Sequence, residues 1–208
     1  MLDKITFHQK DLPSANMFKH SVAVDTEAMG LCHYRDRLCL VQLADEMGNI
    51  HLVQIEKEQK NAPNLVALME DNSVQKIFHF ARFDITVIKH RFGIDVNNIY
   101  CTKIASKMCR TFTSKHSLKD LCKDFLNIEL LKEEQTSDWG AKELTDQQKL
   151  YAAKDVLYLH KIKSALDAML KREGRVDLVK SCFDFLNTRA TLDLLVNEKF
   201  DIFSHSSD

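Results

Sequence analysis

Apolar and polar positions divide the chain into a first half of strand-like runs and a second half of helical periodicity. In the first half, short apolar runs rich in β-branched residues alternate with turn residues. We expect strands at residues 4–8, 21–26, 37–43, 49–55, 76–80 and 99–102. Met47, Gly48 and Asn49 are suited to a hairpin turn between two of these runs, so the chain should open with an antiparallel meander.

Apolar residues at helical spacing predict two helices between the strands, at residues 64–70 and 82–92, the second ending at Gly93. Beyond Lys103 the pattern is helical throughout, and we expect helices at residues 104–110, 117–126, 145–171 and 176–196. Thr145 followed by Gln148 fits a capping box at a helix start. The expected fold class is therefore α/β, with a mixed sheet of five or six strands, flanking helices and a helical C-terminal half, in one domain over residues 1–208.

Composition narrows the class of protein. Hydrophobic residues make up 45% and charged residues 28% of the 208 residues, as in ordinary soluble domains. No run approaches the ~20 apolar residues of a membrane span, and the N-terminal residues lack the apolar core of a signal peptide. The 6 cysteines form no Cys-x-x-Cys pair. We therefore expect a cytoplasmic protein with reduced thiols and no membrane association.

The charge balance restricts the kind of nucleic acid that the chain could bind. Its formal net charge is −1, whereas proteins that grip long nucleic acids carry a basic excess that neutralises phosphates. This balance argues against a long groove that follows a polynucleotide. It remains compatible with a short substrate.

Two carboxylates follow the most buried of the expected strands. Val22 to Val24 lead directly into Asp25 and Glu27, which lie two apart and so share one face of a strand. Carboxylates held side by side raise each other's pKa unless a cation lies between them, and Mg²⁺ and Mn²⁺ prefer such oxygen ligands. Taken alone, the pair is also compatible with two solvated acids at a strand end.

Two further acidic positions occur later in the chain. Asp84 lies in the first turn of a helix that follows a strand, where the helix dipole favours a carboxylate. Tyr151 and Asp155 are four apart and share one face of the long helix. Considered singly, they are also compatible with a packed aromatic and a solvated acid.

The order of these motifs resembles the DEDD superfamily of 3'-5' exonucleases, and Tyr151 is typical of its DEDDy branch, which includes RNase D. The resemblance implies an RNase H-like exonuclease fold and phosphodiester hydrolysis with two Mg²⁺ or Mn²⁺ ions. It implies that Asp25 bridges the two ions, that Glu27, Asp84 and Asp155 complete their ligands, and that Tyr151 orients or deprotonates the attacking water.

Within that branch, residues 35–43, 77–84, 100–107, 137–140 and 182–190 resemble nano-RNase C enzymes. This resemblance implies hydrolysis of dinucleotides such as pGpG, a homo-octameric ring and no other protein partner. The region from about 183 to 208 is unusually apolar. It is expected to form subunit contacts, or alternatively to cover the core of its own domain.

Candidate base-binding residues follow the Asp-x-Glu turn. By similarity to oligoribonuclease, Leu31 is expected to wedge between the two bases of a dinucleotide, with Met29 and Gly30 lining the pocket. Alternatively, Leu31 is a turn residue that closes the core. Trp139 could stack on a base or simply anchor its polar loop.

Candidate phosphate-binding residues are His79, Arg82 and Lys103. Phe83 is a further candidate substrate-binding residue. Alternatively, His79 is a buried, hydrogen-bonded histidine and Arg82 pairs with Asp84.

Two other functions remain open at this stage. A broader RNase D-like exonuclease would trim longer RNA or DNA, and its sign would be a basic path leading to the site. A catalytically idle nucleic-acid-binding scaffold belongs to a different class, and the presence of all five catalytic positions counts against it.

Overall fold

The computed structural model describes residues 4–33, 35–130 and 137–195. Its centre is a six-stranded sheet in the order β1-β4-β3-β2-β5-β6. The strands are β1 (Ile5–Gln9), β2 (Ser21–Ala28), β3 (Leu38–Ala44), β4 (Ile50–Gln54), β5 (Gln75–Phe78) and β6 (Ile99–Cys101). The β2–β3 and β3–β4 pairs are antiparallel, and the other neighbouring pairs are parallel. The predicted mixed sheet and α/β class are therefore confirmed.

The prediction that the chain opens with an antiparallel meander is correct for β2, β3 and β4 but wrong for β1. That strand pairs in parallel with β4 at the edge of the sheet. β1 is only partly buried along its length, whereas every residue of β3 is buried. A partly buried strand suits the edge of a sheet. A completely buried strand suits a central position, because a central strand is covered on both faces.

Eight helices lie in the described part of the chain, and most agree closely with the periodicity. They are α1 (Pro63–Glu70), α2 (Ala81–Phe92), α3 (Thr102–Cys109), α4 (Leu118–Leu126), α5 (Asp146–Leu157), α6 (Leu159–Arg172), α7 (Val176–Asp184) and α8 (Leu186–Leu195). Thr145 and Gln148 form the predicted capping box of α5, and Gly93 ends α2 in the left-handed conformation. The structure therefore confirms the predicted start of α5 and the predicted end of α2.

Both long predicted helices are interrupted, which the sequence did not reveal. The helix expected at 145–171 is two helices that meet at Tyr158, and the helix expected at 176–196 is broken at Phe185. The first break lets α5 pack against β2, β3 and β4 while α6 packs on α3 and β5. Tertiary packing therefore overrides a helical periodicity that continues through the break. Residue 196 lies outside the described residues.

Two findings bear on the cysteines and on membrane spans. All six cysteines are free, and four of them are buried. Among the described residues, no helix has both the length and the apolar character needed to cross a membrane.

Candidate active site

Three carboxylates from two elements converge at the end of β2. Asp25 and Glu27 project from one face of the strand, and α5, packed on that face, adds Asp155. One oxygen from each of the three side chains lies within 4.8 Å of the others. The ladder between β2 and β3 is irregular just after Glu27, as is common next to active sites. This group is the part of the predicted site that the structure brings together most tightly.

Asp84 lies beside this group without joining it. The chain turns sharply between β5 and α2, with Phe80 in the left-handed conformation, and Asp84 is buried in the first turn of α2. Its Oδ1 accepts a 2.7 Å hydrogen bond from the hydroxyl of Thr26. Thr26 was not recognised from the sequence. Its only signal was its place between the two acids, which turns it toward the opposite face of β2.

The pKa of each of the four carboxyl groups is raised, so their charged forms are disfavoured. Burial, followed by the charges of Asp84, Asp155 and Glu27, raises the pKa of Asp25 well above its ordinary value. Burial and the charges of Asp155 and Asp84 raise the pKa of Glu27 to about 9. Burial also raises the pKa of Asp84 and of Asp155 to about 7. A divalent cation would reverse each of these effects, so an all-oxygen set of this kind fits Mg²⁺ or Mn²⁺.

Tyr151 stands one helical turn before Asp155, with its hydroxyl hydrogen-bonded to that carboxylate. Burial, followed by the charges of Asp155, Glu27 and Asp25, raises the pKa of Tyr151 above its ordinary value. The phenol therefore keeps its proton at neutral pH. This state suits a group that orients water by hydrogen bonding better than one that removes a proton.

Trp139 lies behind Tyr151. Only 3% of the Trp139 side chain is exposed, and its ring centroid is 6.1 Å from that of Tyr151. The Gln148 amide donates to the carbonyl of Asp138 at 3.1 Å, which ties the loop to the start of α5. This placement favours the interpretation that Trp139 anchors its loop over the one in which it stacks on a base.

The turn that carries Leu31 is held in place by a buried carboxylate. Asp36 accepts hydrogen bonds from the Arg35 guanidinium and from the Cys32 N–H, and these bonds lower the pKa of Asp36 to about 2. Gly30 packs so closely on it that an added Cβ would lie 2.4 Å from Asp36 Oδ2. Leu31 itself is 79% exposed, which is incompatible with the alternative that it closes the core.

The loop that carries Trp139 also contacts the turn that carries Leu31. A Cβ added at Gly140 would lie 2.3 Å from the sulfur of Met29, and Arg37 Nη2 donates to the Gly140 carbonyl at 3.3 Å. Met29 is half exposed. The surroundings of Tyr151 and the exposed Leu31 are thus parts of one packed unit.

His79 directly follows β5, and Lys103 lies in the first turn of α3. His79 Nδ1 lies 2.9 Å from the Thr102 hydroxyl, and burial together with the charge of Lys103 lowers the pKa of His79 to about 3. His79 is therefore neutral near pH 7 and can offer a hydrogen bond but no positive charge. Lys103 Nζ lies 4.2 Å from the centroid of the Phe80 ring.

The alternative pairing of Arg82 with Asp84 is wrong. Arg82 binds Asp193 of α8 through two bonds, Nε–Oδ2 at 2.6 Å and Nη2–Oδ1 at 2.7 Å. The reason is that α8 packs along α2, whereas Asp84 turns inward to Thr26. Phe83 is half-buried, and its ring centroid lies 5.1 Å from that of His33.

A protein-family model described as 3'-5' exonuclease matches residues 7–171. Ribonuclease D of Gluconacetobacter diazotrophicus is 33% identical over 170 residues, which cover 82% of this chain and 43% of that protein. The chain therefore spans less than half the length of this curated relative.

Solved structures extend the likeness to almost the whole chain. A structure described as Brucella melitensis NrnC bound to pGG is 48% identical with a TM-score of 0.92, and the match covers 97% of this chain and 98% of that one. Escherichia coli RNase D is 25% identical with a TM-score of 0.75, over 85% of this chain and 46% of that one. These matches confirm the exonuclease fold and the resemblance to RNase D and nano-RNase C enzymes. The chain belongs to the 3'-5' exonuclease family.

Proposed function

We propose that this protein is a metal-dependent 3'-5' exoribonuclease that hydrolyses short oligoribonucleotides, chiefly dinucleotides such as pGpG, to mononucleotides. The observation that carries the proposal is the convergence of Asp25, Glu27 and Asp155 within 4.8 Å, with Asp84 beside them, on an exonuclease fold. The 48% identity to an NrnC structure bound to pGG supports the preference for dinucleotides.

The proposed cofactor is a pair of Mg²⁺ or Mn²⁺ ions held by Asp25, Glu27, Asp84 and Asp155. Brucella melitensis NrnC has been solved with bound Mg²⁺. When bound, such ions polarise the scissile phosphate and activate water for attack. Thr26 donates a hydrogen bond that orients Asp84, and the protonated Tyr151 hydroxyl would orient the attacking water by hydrogen bonding.

The proposed substrate pocket lies between the Leu31 turn and the β5–α2 connection. Leu31 is exposed on a turn that Asp36 holds in place, as a wedge between two bases requires. Met29 and Gly30 would line the pocket, with Phe83 nearby. Lys103 would supply positive charge to a terminal phosphate, and His79 a neutral hydrogen bond. Arg82 would contribute from the edge, because Asp193 already binds its guanidinium.

We also propose a cytoplasmic homo-octamer. Exposed apolar side chains on α7 and α8 support self-association, namely Val176, Leu178 and Leu195. Phe183, Leu186 and Ala190 are buried within the chain itself, so this part of the expected interface serves the domain's own core.

Residues 196–208 lie outside the described residues. Light scattering on the full chain and on a variant lacking 196–208 would test the assembly, and an unchanged mass would exclude a role for that segment.

A second candidate is an RNase D-like exonuclease that trims longer RNA or DNA ends. It is favoured by the ribonuclease D relatives, one of which matches over 82% of this chain. The net charge of −1 argues against it, because a long single strand requires many phosphate contacts.

Substitution of a metal-binding carboxylate tests the proposed chemistry. Asp25→Asn should lower the rate of pGpG hydrolysis in Mg²⁺ by roughly a thousandfold, or about 4 kcal/mol, because a central ligand is lost. Asp45→Asn, in the β3–β4 turn, is the matched control and should retain activity. Full activity in Asp25→Asn, or activity unaffected by EDTA, would contradict the proposal.

A further inference from the structure

Gln42 carries a completely buried amide at the centre of β3. Its side chain is 0% exposed, and neither Oε1 nor Nε2 has a hydrogen-bond partner among the described residues. An unpaired buried polar group lowers the stability of the folded protein, and native proteins contain few of them. An apolar residue of similar size would pack at this position without that cost.

The sheet register places this amide next to the acidic cluster. Gln42 lies directly opposite Asp25 in the antiparallel β2–β3 pair. Directly opposite residues project from the same face of a sheet, with Cβ atoms about 4.5–5.5 Å apart. Gln42 therefore shares with Asp25 the face that α5 covers, where Asp155 completes the cluster.

We propose that Gln42 is a positioning residue for Asp25, whose amide N–H holds the carboxylate in its orientation when a divalent cation is bound. The inference rests on the proposed metal-dependent function. Hydrogen bonds to metal-binding carboxylates fix their orientation, and loss of such a partner typically lowers metal affinity by roughly 10- to 100-fold. The Gln42 side chain thus lowers the stability of the metal-free protein and strengthens binding of the cation.

The residue type fits this role. Glutamine is neutral and offers donors, so it supports a carboxylate without adding another negative charge to Asp25, Glu27, Asp84 and Asp155. A glutamate would increase the repulsion within the cluster. A leucine or methionine would fill the space and leave the carboxylate without this donor.

The test compares metal binding in wild type, Gln42→Met and Gln42→Leu without substrate. Mn²⁺ affinity is measured by titration calorimetry. The melting temperature of each protein is measured with and without Mn²⁺. Both variants should bind Mn²⁺ about tenfold more weakly than wild type. Without metal they should melt at or above the wild-type temperature, because the unpaired amide is gone. Two apolar variants are used so that a folding failure in one leaves the other to decide.

Leu52→Met is the matched control. Leu52 lies opposite Gln42 on β4, so it shares the same sheet face but is one strand farther from Asp25. It should leave Mn²⁺ affinity unchanged. Wild-type affinity in folded Gln42→Met or Gln42→Leu would overturn the inference and leave the proposed function standing. Absence of Mn²⁺ binding and of pGpG hydrolysis in wild type would instead refute the proposed function itself.

Discussion

At the scale of single residues, the Thr26 hydroxyl is a side-chain donor that orients Asp84. Thr26 lies between two of the acidic residues but points to the other side of the strand, where it donates to Asp84. Asp155 of α5 and Asp84 of α2 thus approach β2 from its two faces. The buried Asp84 carboxylate is held by the Thr26 hydroxyl together with the backbone N–H groups of Thr26 and Asp84.

Thr26→Val should therefore lower kcat for pGpG hydrolysis by about tenfold and the free energy of unfolding by roughly 1 kcal/mol. The substitution keeps the shape of the side chain and removes only the donor. Thr86→Val is the control, since its hydroxyl is also buried and donates to the Arg82 carbonyl at 2.6 Å. Steady-state kinetics and urea unfolding provide the two readouts. Equal activity of the two variants would contradict the role given to Thr26.

The catalytic candidates could be predicted as residues, but their supporting contacts could not. Asp25 and Glu27 are recognisable because their spacing alone places them on one strand face. Thr26 and Asp36 act through a tertiary partner and through the backbone of a turn. Those relations depend on register and turn geometry, which a single sequence does not encode locally.

At the scale of elements, the contacts of Asp36 support the turn that carries the exposed Leu31. Asp36 binds the Cys32 N–H and the Arg35 side chain, and Gly30 leaves no space for a Cβ against it. A wedge between bases must hold its position, because a mobile side chain would lose conformational entropy on binding.

Asp36→Ala should raise KM for pGpG by about tenfold while the melting temperature falls only slightly, because the turn loses its backbone acceptor. Asp45→Ala is the comparison, since Asp45 accepts backbone N–H bonds from Met47 and Asn49 in the β3–β4 turn. Its KM should equal that of wild type. If Asp36→Ala behaves like Asp45→Ala in kinetics, the turn does not position substrate.

The pairing of β1 with β4 introduces a pH-sensitive contact far from the acidic cluster. His8 Nε2 lies 3.0 Å from His51 Nδ1, and burial lowers the pKa of both rings. Below the ordinary histidine pKa of about 6.5, the unfolded chain binds protons that the folded chain does not. The His8–His51 pair therefore contributes a loss of stability as the pH drops from 7 toward 5, whereas the raised pKa values of the acidic cluster contribute with the opposite sign in the metal-free protein.

His51→Phe should reduce the contribution of the His8–His51 pair to the pH dependence of stability, because it removes one of the two titrating rings. Urea unfolding at pH 7, 6 and 5 would measure the slope of stability against pH. His20→Gln, at an exposed histidine, should keep the wild-type slope. An unchanged slope in His51→Phe would show that the pair does not contribute.

Element boundaries illustrate what local patterns can establish. The capping boxes at Ser117 and Thr145 and the glycine after α2 mark helix ends where the structure has them. The breaks at Tyr158 and Phe185 leave no such mark, because apolar spacing continues across both. The parallel partner of β1 was equally hidden, since strand pairing is a long-range property.

At the scale of the whole molecule, the near-neutral charge and the small exonuclease domain together favour a short substrate. The mixed sheet carries the acidic cluster at the end of β2, and the Leu31 turn follows that strand directly in the chain. The fold class followed from the patterns because each strand and most helices carry consistent local signals. Subunit number did not, because an interface requires knowledge of which surfaces meet.

The most direct test of the account compares 5'-labelled pGpG with a labelled heptanucleotide RNA, in Mg²⁺ and then in Mn²⁺, using wild type and Asp25→Asn in parallel. A pocket closed around two bases and a terminal phosphate predicts that wild type cleaves pGpG roughly a hundredfold faster than the longer RNA. Asp25→Asn should cleave neither. Stepwise shortening of the heptanucleotide at a rate similar to that of pGpG would contradict the dinucleotide pocket and identify the protein as a general trimming exonuclease.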